Sequence, residues 1–173
     1  GISMYSSTNT EVMWDFVKNM GFENLENRFQ YAGSTEVTDM LLGIRYLFCR
    51  NTRKLHTVYK KIGESQSFDL YENPRALKAG YMVSDSVLDY VMEGTDPLEV
   101  QNRLLSGIAG KRLYKMQTVS SEAVWAGTVD FDISLKKGEH GYLYIPGTEP
   151  ETVTINGQEQ KSDYWNNNFL DLG

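Results

Sequence analysis

The sequence contains few of the residues that build covalent or metal-held frameworks. Its 173 residues include one cysteine, two histidines and four prolines. Because a disulfide needs two cysteines, Cys49 cannot form one within the chain. His56 and His140 are isolated, whereas a zinc site needs several ligands that converge. We therefore expect no metal site and no cysteine-based catalysis, and we interpret Cys49 as a buried thiol.

Long apolar runs and dense positive charge are also lacking. The longest apolar stretch, residues 40–49, is interrupted by Arg45 and is shorter than the ~20 residues that a membrane-spanning helix requires. With 17 Lys and Arg against 23 Asp and Glu, the formal net charge is −6. Binding to nucleic acid or to anionic lipid depends on clustered cations, which are sparse here. We therefore expect no nucleic-acid partner, and a binder of anionic lipid surfaces is disfavoured.

Motifs for cofactors and for secretion are absent as well. The glycine-containing segment 107–111 follows a predicted helix, whereas a phosphate-binding loop precedes one. We therefore expect no cofactor. The first residues lack the basic and then apolar layout of a signal peptide, so we expect any targeting segment to lie outside this sequence. With 40% hydrophobic and 12% aromatic residues, the chain is expected to fold.

Capping signals predict three helices. The first follows a capping box at Thr8–Glu11, the second follows an N-cap at Ser34 or Thr35, and the third opens at Asp96-Pro97. Apolar residues recur at helical spacing between 12 and 20. The second helix is expected over 36–42 and the third is expected to reach about residue 108. The glycines placed to end the three helices are Gly21, Gly43 and Gly110.

Aromatic and β-branched runs predict strands in the first two thirds of the chain. We expect a buried strand at 44–49 and an antiparallel hairpin that joins 57–62 to 67–71. The turn between the two hairpin strands contains Gly63, and Asn73-Pro74 ends the second strand. A further short strand is predicted at 81–83.

After residue 118 the sequence takes on the character of an all-β module. Apolar and polar residues alternate strictly over 129–135, which is typical of a strand with one buried face. A turn at 138–141 is expected to lead into a partner strand at 142–145. Asn156-Gly157, after the apolar run 153–155, is a strong signal for a type I′ hairpin.

These elements predict an α+β fold in two parts. Residues 1–117 are expected to form a small mixed α/β domain, and 118–173 a partial antiparallel β-sandwich of jelly-roll-like type. Because three or four strands leave an apolar face uncovered, we expect the second module to be truncated and the chain to be a piece of a longer protein.

One polar set could recognise a sugar or a phosphate. Amide side chains and a guanidinium donate and accept hydrogen bonds in fixed directions, which suits both kinds of ligand. The alternative interpretation is that these residues form hydrogen bonds that hold loops and helix caps in place. The candidate substrate-binding residues are Asp39, Asn73, Arg75, Gln101 and Asn102. The candidate aromatic platforms for a sugar ring are Trp125, Tyr142, Tyr164 and Trp165.

Several segments, taken in order, resemble one protein family. Their sequence order and approximate spacing are similar to those of the YfhO-like bacterial membrane proteins. The segments are Gly1–Ser7, Thr38–Tyr46, Tyr71–Leu77 and Asp96–Asn102, with Tyr142–Pro146 and Ile155–Gly157 further along. One departure is Lys78-Ala79-Gly80, where the family pattern leads us to expect a proline after Ala76-Leu77.

The resemblance implies a large polytopic protein of the glycosyltransferase-C type. Such proteins are expected to move a sugar from an undecaprenyl-phosphate carrier to cell-envelope polymers such as teichoic acid. This chain would be a soluble extracytoplasmic region, with the membrane body, a cell-envelope glycan or a lipid-linked sugar as partners. The catalytic carboxylate is expected in a loop of the membrane body, so no catalytic residue is assigned to this chain.

Two other functions are weighed against the transferase. A cell-surface module that binds carbohydrate or mediates adhesion, without enzymatic activity, would also suit an acidic chain with a β-rich end. A free-standing hydrolase is disfavoured because no pairing of nucleophile and general base is indicated.

Overall fold

The structure is a computed structural model, and four helices are found among the residues that it describes. These residues are 11–22, 24–25, 28–29, 31, 33–50, 58–117, 119–125, 127–145, 152–160 and 169–172. Thr8 of the predicted capping box lies outside them. The helices are α1 (Glu11–Asn19), α2 (Glu36–Leu41), a short 3-10 helix (Asp85–Asp89) and α3 (Pro97–Ala109).

The caps of α2 and α3 confirm the sequence prediction. The Thr35 hydroxyl accepts a hydrogen bond from the Thr38 N–H at 3.2 Å, and the Thr38 hydroxyl accepts from the Thr35 N–H at 2.7 Å. This reciprocal pair is the capping box of α2. At the start of α3, Asp96 Oδ1 accepts from the Leu98 N–H at 2.9 Å. Gly110, with φ +66°, ends α3 in the left-handed conformation that favours glycine.

The strands described form one three-stranded sheet and four pairs. The sheet is antiparallel, with the order β3-β5-β4, and its β4-β5 hairpin is the one predicted from the sequence, moved along by one to three residues at its ends. The first strands are β1 (Asn24–Leu25), β2 (Arg28–Phe29), β3 (Tyr46–Arg50), β4 (Lys60–Glu64) and β5 (Phe68–Glu72). The later strands are β6 (Ser121–Trp125), β7 (Thr128–Phe131), β8 (Tyr142–Tyr144), β9 (Val153–Ile155), β10 (Gln158–Gln160) and β11 (Phe169–Asp171).

The core has a helical part and a sheet part. Apolar side chains of α1 and α3 pack together, and the inner face of β3 buries Leu47 and Cys49 against Tyr59. Tyr31 contacts both parts and so joins them. The buried residues of the helical part are Val17, Met20, Phe22, Val100 and Leu104.

The strand predicted at 81–83 is wrong. These residues belong to a loop without regular secondary structure, and Met82 is 96% exposed. A 3-10 helix follows at once, because the Ser84 hydroxyl accepts from the Ser86 N–H. The Ser86 hydroxyl in turn donates to the Gly107 carbonyl at 2.9 Å and holds the segment against α3. The apolar residues therefore lie on a surface loop.

The pairing predicted after residue 118 is correct for one hairpin and wrong for the other. Strands β9 and β10 form the hairpin around Asn156-Gly157, whose φ angles of 51° and 76° are those of a type I′ turn. In contrast, β7 ends at Phe131 and pairs with β6, while β8 pairs with β11. Alternation fixes which face of a strand is buried but does not name its partner.

The α+β class is confirmed by helices and antiparallel sheets in the same chain. The strands described beyond residue 118 form three separate pairs, so a jelly-roll-like sandwich is not confirmed. Strand β8 contacts the first part of the chain: Tyr142 Oη accepts from the Glu36 N–H at 3.1 Å, and Tyr144 Oη donates to the Thr95 carbonyl at 2.9 Å. The division of the chain into 1–117 and 118–173 remains a prediction.

We predict that Asp96→Ala lowers the free energy of unfolding by about 1 kcal/mol, because two N–H groups at the start of α3 lose their acceptor. The melting temperature should fall by about 2–4 °C. Asp132→Ala, which removes the same charge from an exposed loop position, is the control. Equal melting temperatures for the two variants would show that the cap does not stabilise the helix.

Candidate functional site

The five candidate substrate-binding residues fall into two groups by burial. Asp39, Asn73, Gln101 and Asn102 are each at most 1% exposed. Arg75 is on the surface, where 62% of its side chain is exposed. Four of the five polar side chains therefore have their contacts inside the protein.

Gln101 makes hydrogen bonds to three separate parts of the chain. Its Nε2 donates to the Met20 carbonyl at the end of α1 at 2.9 Å. Its Oε1 accepts from the Thr35 hydroxyl and from Tyr114 Oη, each at 2.8 Å. Tyr114 Oη also lies 2.8 Å from Thr35 Oγ1, so the three side chains form a closed triangle. Through these bonds, the side chain of Gln101 connects the end of α1, the N-cap of α2 and the segment after α3.

Asn102, the next residue on α3, holds the chain that leaves this helix. Its Oδ1 accepts from the backbone N–H groups of Leu113 and Tyr114 at 3.1 and 2.8 Å, and its Nδ2 donates to the Tyr114 carbonyl at 3.0 Å. Asn102 thus places Tyr114 so that its hydroxyl can reach Gln101. The two adjacent amides act as one structural unit.

Asp39 lies on α2 beside two buried tyrosines. The Tyr59 hydroxyl donates a short hydrogen bond to Asp39 Oδ2. Burial raises the pKa of Tyr59 above its ordinary value, and the negative charge of Asp39 raises it further. The pKa of Tyr31 is raised for the same two reasons, in the same order. Both phenols are protonated at neutral pH, as an ordinary tyrosine is, and the raised pKa values extend the protonated form to higher pH.

The negative charge of Asp39 also affects Tyr114, a member of the Gln101 triangle. Burial is the main cause of the raised pKa of Tyr114, and the charge of Asp39 contributes to it. We define the buried polar cluster by its members Thr35, Asp39, Tyr59, Gln101 and Tyr114. It brings two of the candidate residues, Asp39 and Gln101, into one neighbourhood at α2.

Asn73 and Arg75 belong to a turn that runs along α2. Asn73 Oδ1 accepts from the Arg75 N–H at 2.9 Å, and the Asn73 N–H donates to the Arg45 carbonyl at 2.7 Å. Asn73 Nδ2 is buried and has no hydrogen-bond partner among the described residues. The Arg75 guanidinium pairs with Glu36 on the exposed side of α2. Arg75 is therefore the candidate residue that a ligand could reach.

Sequence reasoning missed the hydroxyl partners of this cluster. Thr35 was identified only as a possible helix cap, and nothing distinguished Tyr59 and Tyr114 from other aromatic core residues. Their partners are remote in sequence, since 20 residues separate Tyr59 from Asp39 and 79 separate Tyr114 from Thr35. A buried carboxylate must have donors nearby, which is the one signal that could have prompted a search for them.

The candidate aromatic platforms and metal ligands are placed as follows. Tyr142 is half-buried, and its ring meets that of Tyr114 edge-on at 5.8 Å. The side chain of Trp125, and all of Tyr164 and Trp165, lie outside the described residues. Among the residues that the structure describes, no group of three or more His, Cys, Asp or Glu could hold a metal ion.

We predict that Gln101→Leu destabilises the protein by about 2–4 kcal/mol. The substitution keeps the volume but removes the donor to the buried Met20 carbonyl and the acceptor shared by the Thr35 and Tyr114 hydroxyls. These two hydroxyls then have only each other in the triangle. The measurement is urea unfolding, with Gln117→Leu at an exposed position as the control. A Gln101→Leu variant as stable as the control would contradict the assigned role of the triangle.

Tyr59→Phe should cost about 2 kcal/mol, because it removes a donor from a buried carboxylate. Tyr46→Phe removes the same atom from an exposed ring on the other face of the sheet and should change stability by less than about 0.5 kcal/mol. Urea unfolding of both variants compares the two hydroxyls directly. A difference within experimental error would mean that the bond to Asp39 adds nothing.

Stability should fall as the pH rises above about 10, the pKa of a tyrosine in an unfolded chain. Above that pH the unfolded chain releases phenolic protons that the folded protein keeps, because the pKa values of Tyr31, Tyr59 and Tyr114 are raised on folding. The loss should approach about 1.4 kcal/mol per pH unit for each of these tyrosines. Below pH 10 their contribution is fully present. Unfolding measured between pH 9 and about 11.5 should give a shallower slope for Tyr59→Phe than for the unmodified chain.

Comparison with known proteins places the chain in a family. The model of the family described as bacterial membrane protein YfhO matches residues 1–124, which is 124 of the 173 residues. No curated protein and no solved structure matches the chain. Within the ranges that the structure describes, no helix is long and apolar enough to cross a membrane. The match includes the first four segments that suggested the family from the sequence, and on its extent the chain belongs to the YfhO family of bacterial membrane proteins.

Proposed function

We propose that this chain is an extracytoplasmic region of a polytopic membrane glycosyltransferase of the glycosyltransferase-C type. The parent enzyme transfers a sugar from an undecaprenyl-phosphate carrier to a cell-envelope polymer such as teichoic acid. The region itself is not catalytic. It supports the membrane body and presents a surface to the acceptor polymer. Membership of a membrane protein family supports this proposal.

The proposed structural role of this region depends on one observation: two of its amide side chains point into the protein and bond to the chain itself. Gln101 and Asn102 have the chemistry that recognises sugar hydroxyls, yet both are fully buried, and their oxygens and nitrogens bond to other parts of the chain. Buried polar networks whose members are satisfied rigidify a fold. A rigid unit beside a membrane enzyme can hold the loops of the membrane body in place.

Arg75 is the residue that we assign to contact with the acceptor. Its guanidinium is largely exposed, and a planar fork of N–H donors suits the phosphate groups of an anionic polymer. The Asn73 turn fixes the backbone N–H of Arg75, and the pair with Glu36 orients the side chain along α2. An incoming phosphate would exchange with the Glu36 carboxylate.

The test uses the full-length parent protein in its own cells. Deletion of the gene should remove the sugar from the acceptor polymer, and the unmodified gene should restore it. Arg75→Ala should lower the sugar content severalfold at an equal amount of protein. The matched control is Arg112→Ala, because Arg112 is also exposed and also paired with a glutamate, Glu99.

The outcomes separate the parts of the proposal. An unchanged polymer in the deletion strain would overturn the transfer function. If deletion removes the sugar but the Arg75→Ala variant is fully active, the assignment of Arg75 to the acceptor contact is wrong. Protease treatment of intact protoplasts should destroy an epitope in this region, and a protected epitope would overturn the extracytoplasmic placement. A small protein released without detergent would favour the adhesive module instead.

A further inference from the structure

The three-stranded sheet exposes an apolar face on its outer side. Along β3, Leu47 and Cys49 are buried, while Tyr46 and Phe48 are exposed on the other face. Directly paired residues of neighbouring antiparallel strands share a face, so Leu70 and Phe68, which pair with Phe48 and Arg50, belong to this side. We define the outer sheet face by the apolar residues Tyr46, Phe48, Phe68 and Leu70.

The exposed rings are packed against each other instead of being scattered. Phe48 and Phe68 stack with centroids 4.9 Å apart and an interplanar angle of 12°. Phe48 is still 66% exposed and Tyr46 is 54% exposed. An antiparallel sheet that meets water normally carries polar residues on its wet face. A contiguous apolar group in that position marks a surface that contacts something else.

The charges around this face have the opposite sign to the charge of the chain. Arg45 lies over the ring of Tyr46 and pairs with Glu72, so these two charges cancel. Arg50 on β3 and Lys60 on β4 then add two positive charges. The acids Glu64 and Asp69 lie toward the inner side of the sheet, where both pair with Lys61. The outer sheet face is thus aromatic, aliphatic and locally basic within a chain of net charge −6.

We propose that the outer sheet face rests on the surface of an anionic lipid bilayer. Aromatic and aliphatic side chains enter the boundary between headgroups and acyl chains, and arginine and lysine meet the lipid phosphates. The family is one of membrane proteins, so a bilayer is present beside this chain whatever reaction the parent protein performs. Tethering to the membrane body makes the contact effectively intramolecular and strengthens it beyond the affinity of the free chain.

This proposal departs from the expectation drawn from composition. The net charge of −6 disfavoured binding to anionic lipid, but it is a sum over the whole chain and does not describe one face. Electrostatic attraction to a surface falls off within a Debye length, about 8–10 Å, so the charges nearest the lipid decide the interaction.

A second exposed apolar segment serves as an internal comparison. Met82 and Leu88 lie on the loop and 3-10 helix between β5 and α3 and are even more exposed than Phe48. Their charged neighbours in the 3-10 helix are Asp85 and Asp89, which an anionic surface repels. The same degree of apolar exposure therefore occurs with the opposite local charge.

The test is flotation of the 173-residue chain with lipid vesicles at physiological salt. The chain should float with vesicles of equimolar phosphatidylcholine and phosphatidylglycerol, and remain unbound with pure phosphatidylcholine. Phe48→Ser should weaken binding by at least about tenfold, and Lys60→Gln by about fivefold. The matched controls, Leu88→Ser and Lys115→Gln, should bind as the unmodified chain does.

Three results would overturn the proposal. The first is failure of the unmodified chain to float with the anionic vesicles, and the second is equally good flotation with neutral vesicles. The third is an equal loss of binding in Phe48→Ser and Leu88→Ser. Circular dichroism and urea unfolding establish that each variant is folded, and Tyr46→Ser repeats the apolar test at a second exposed position. Flotation does not depend on sugar transfer, so the lipid contact and the proposed glycosyltransferase function can fail separately.

Discussion

A buried amide destabilises the fold unless its polar atoms find hydrogen-bond partners, and at Gln101 both the oxygen and the nitrogen have them. Removing an amide from water costs free energy unless its bonds are replaced. The replacements come from Met20, Thr35 and Tyr114, which belong to three different segments. The end of α1, the start of α2 and the chain beyond α3 must therefore be in place together. The packing between these helices follows from satisfying one side chain.

The same region joins the helices to the sheet. Asp39 lies on α2, four residues after Thr35, and its carboxylate is reached by Tyr59, which packs under β3. Apolar packing against Leu47 and Cys49 places this phenol, whose hydroxyl donates to the carboxylate. These contacts cover the inner face of β3, whereas its outer face stays exposed at Tyr46 and Phe48.

Local signals were sufficient for the three α-helices and for the β4-β5 and β9-β10 hairpins. Caps at Thr35, Asp96 and Gly110 depend on neighbouring residues only, and Asn156-Gly157 dictates its own turn. The pairing of β8 with β11 could not be predicted, because any edge of complementary polarity fits an alternating strand. The chemistry of Gln101 and Asn102 was likewise recognised from the sequence, but the direction in which their side chains point was not. That direction depends on tertiary contacts with residues far away in the chain.

The distribution of polarity links the two proposals. Amides that could bind sugars are inside, and aromatic rings that would normally be inside are on the outer sheet face. In a freely diffusing protein such a face would favour association with other copies. Beside a bilayer it has a stable partner, and the excess of acidic residues elsewhere disfavours contact through other faces. Attraction at Arg50 and Lys60 combined with repelling charge elsewhere selects one orientation, and a rigid helical core transmits that orientation to Arg75 on α2.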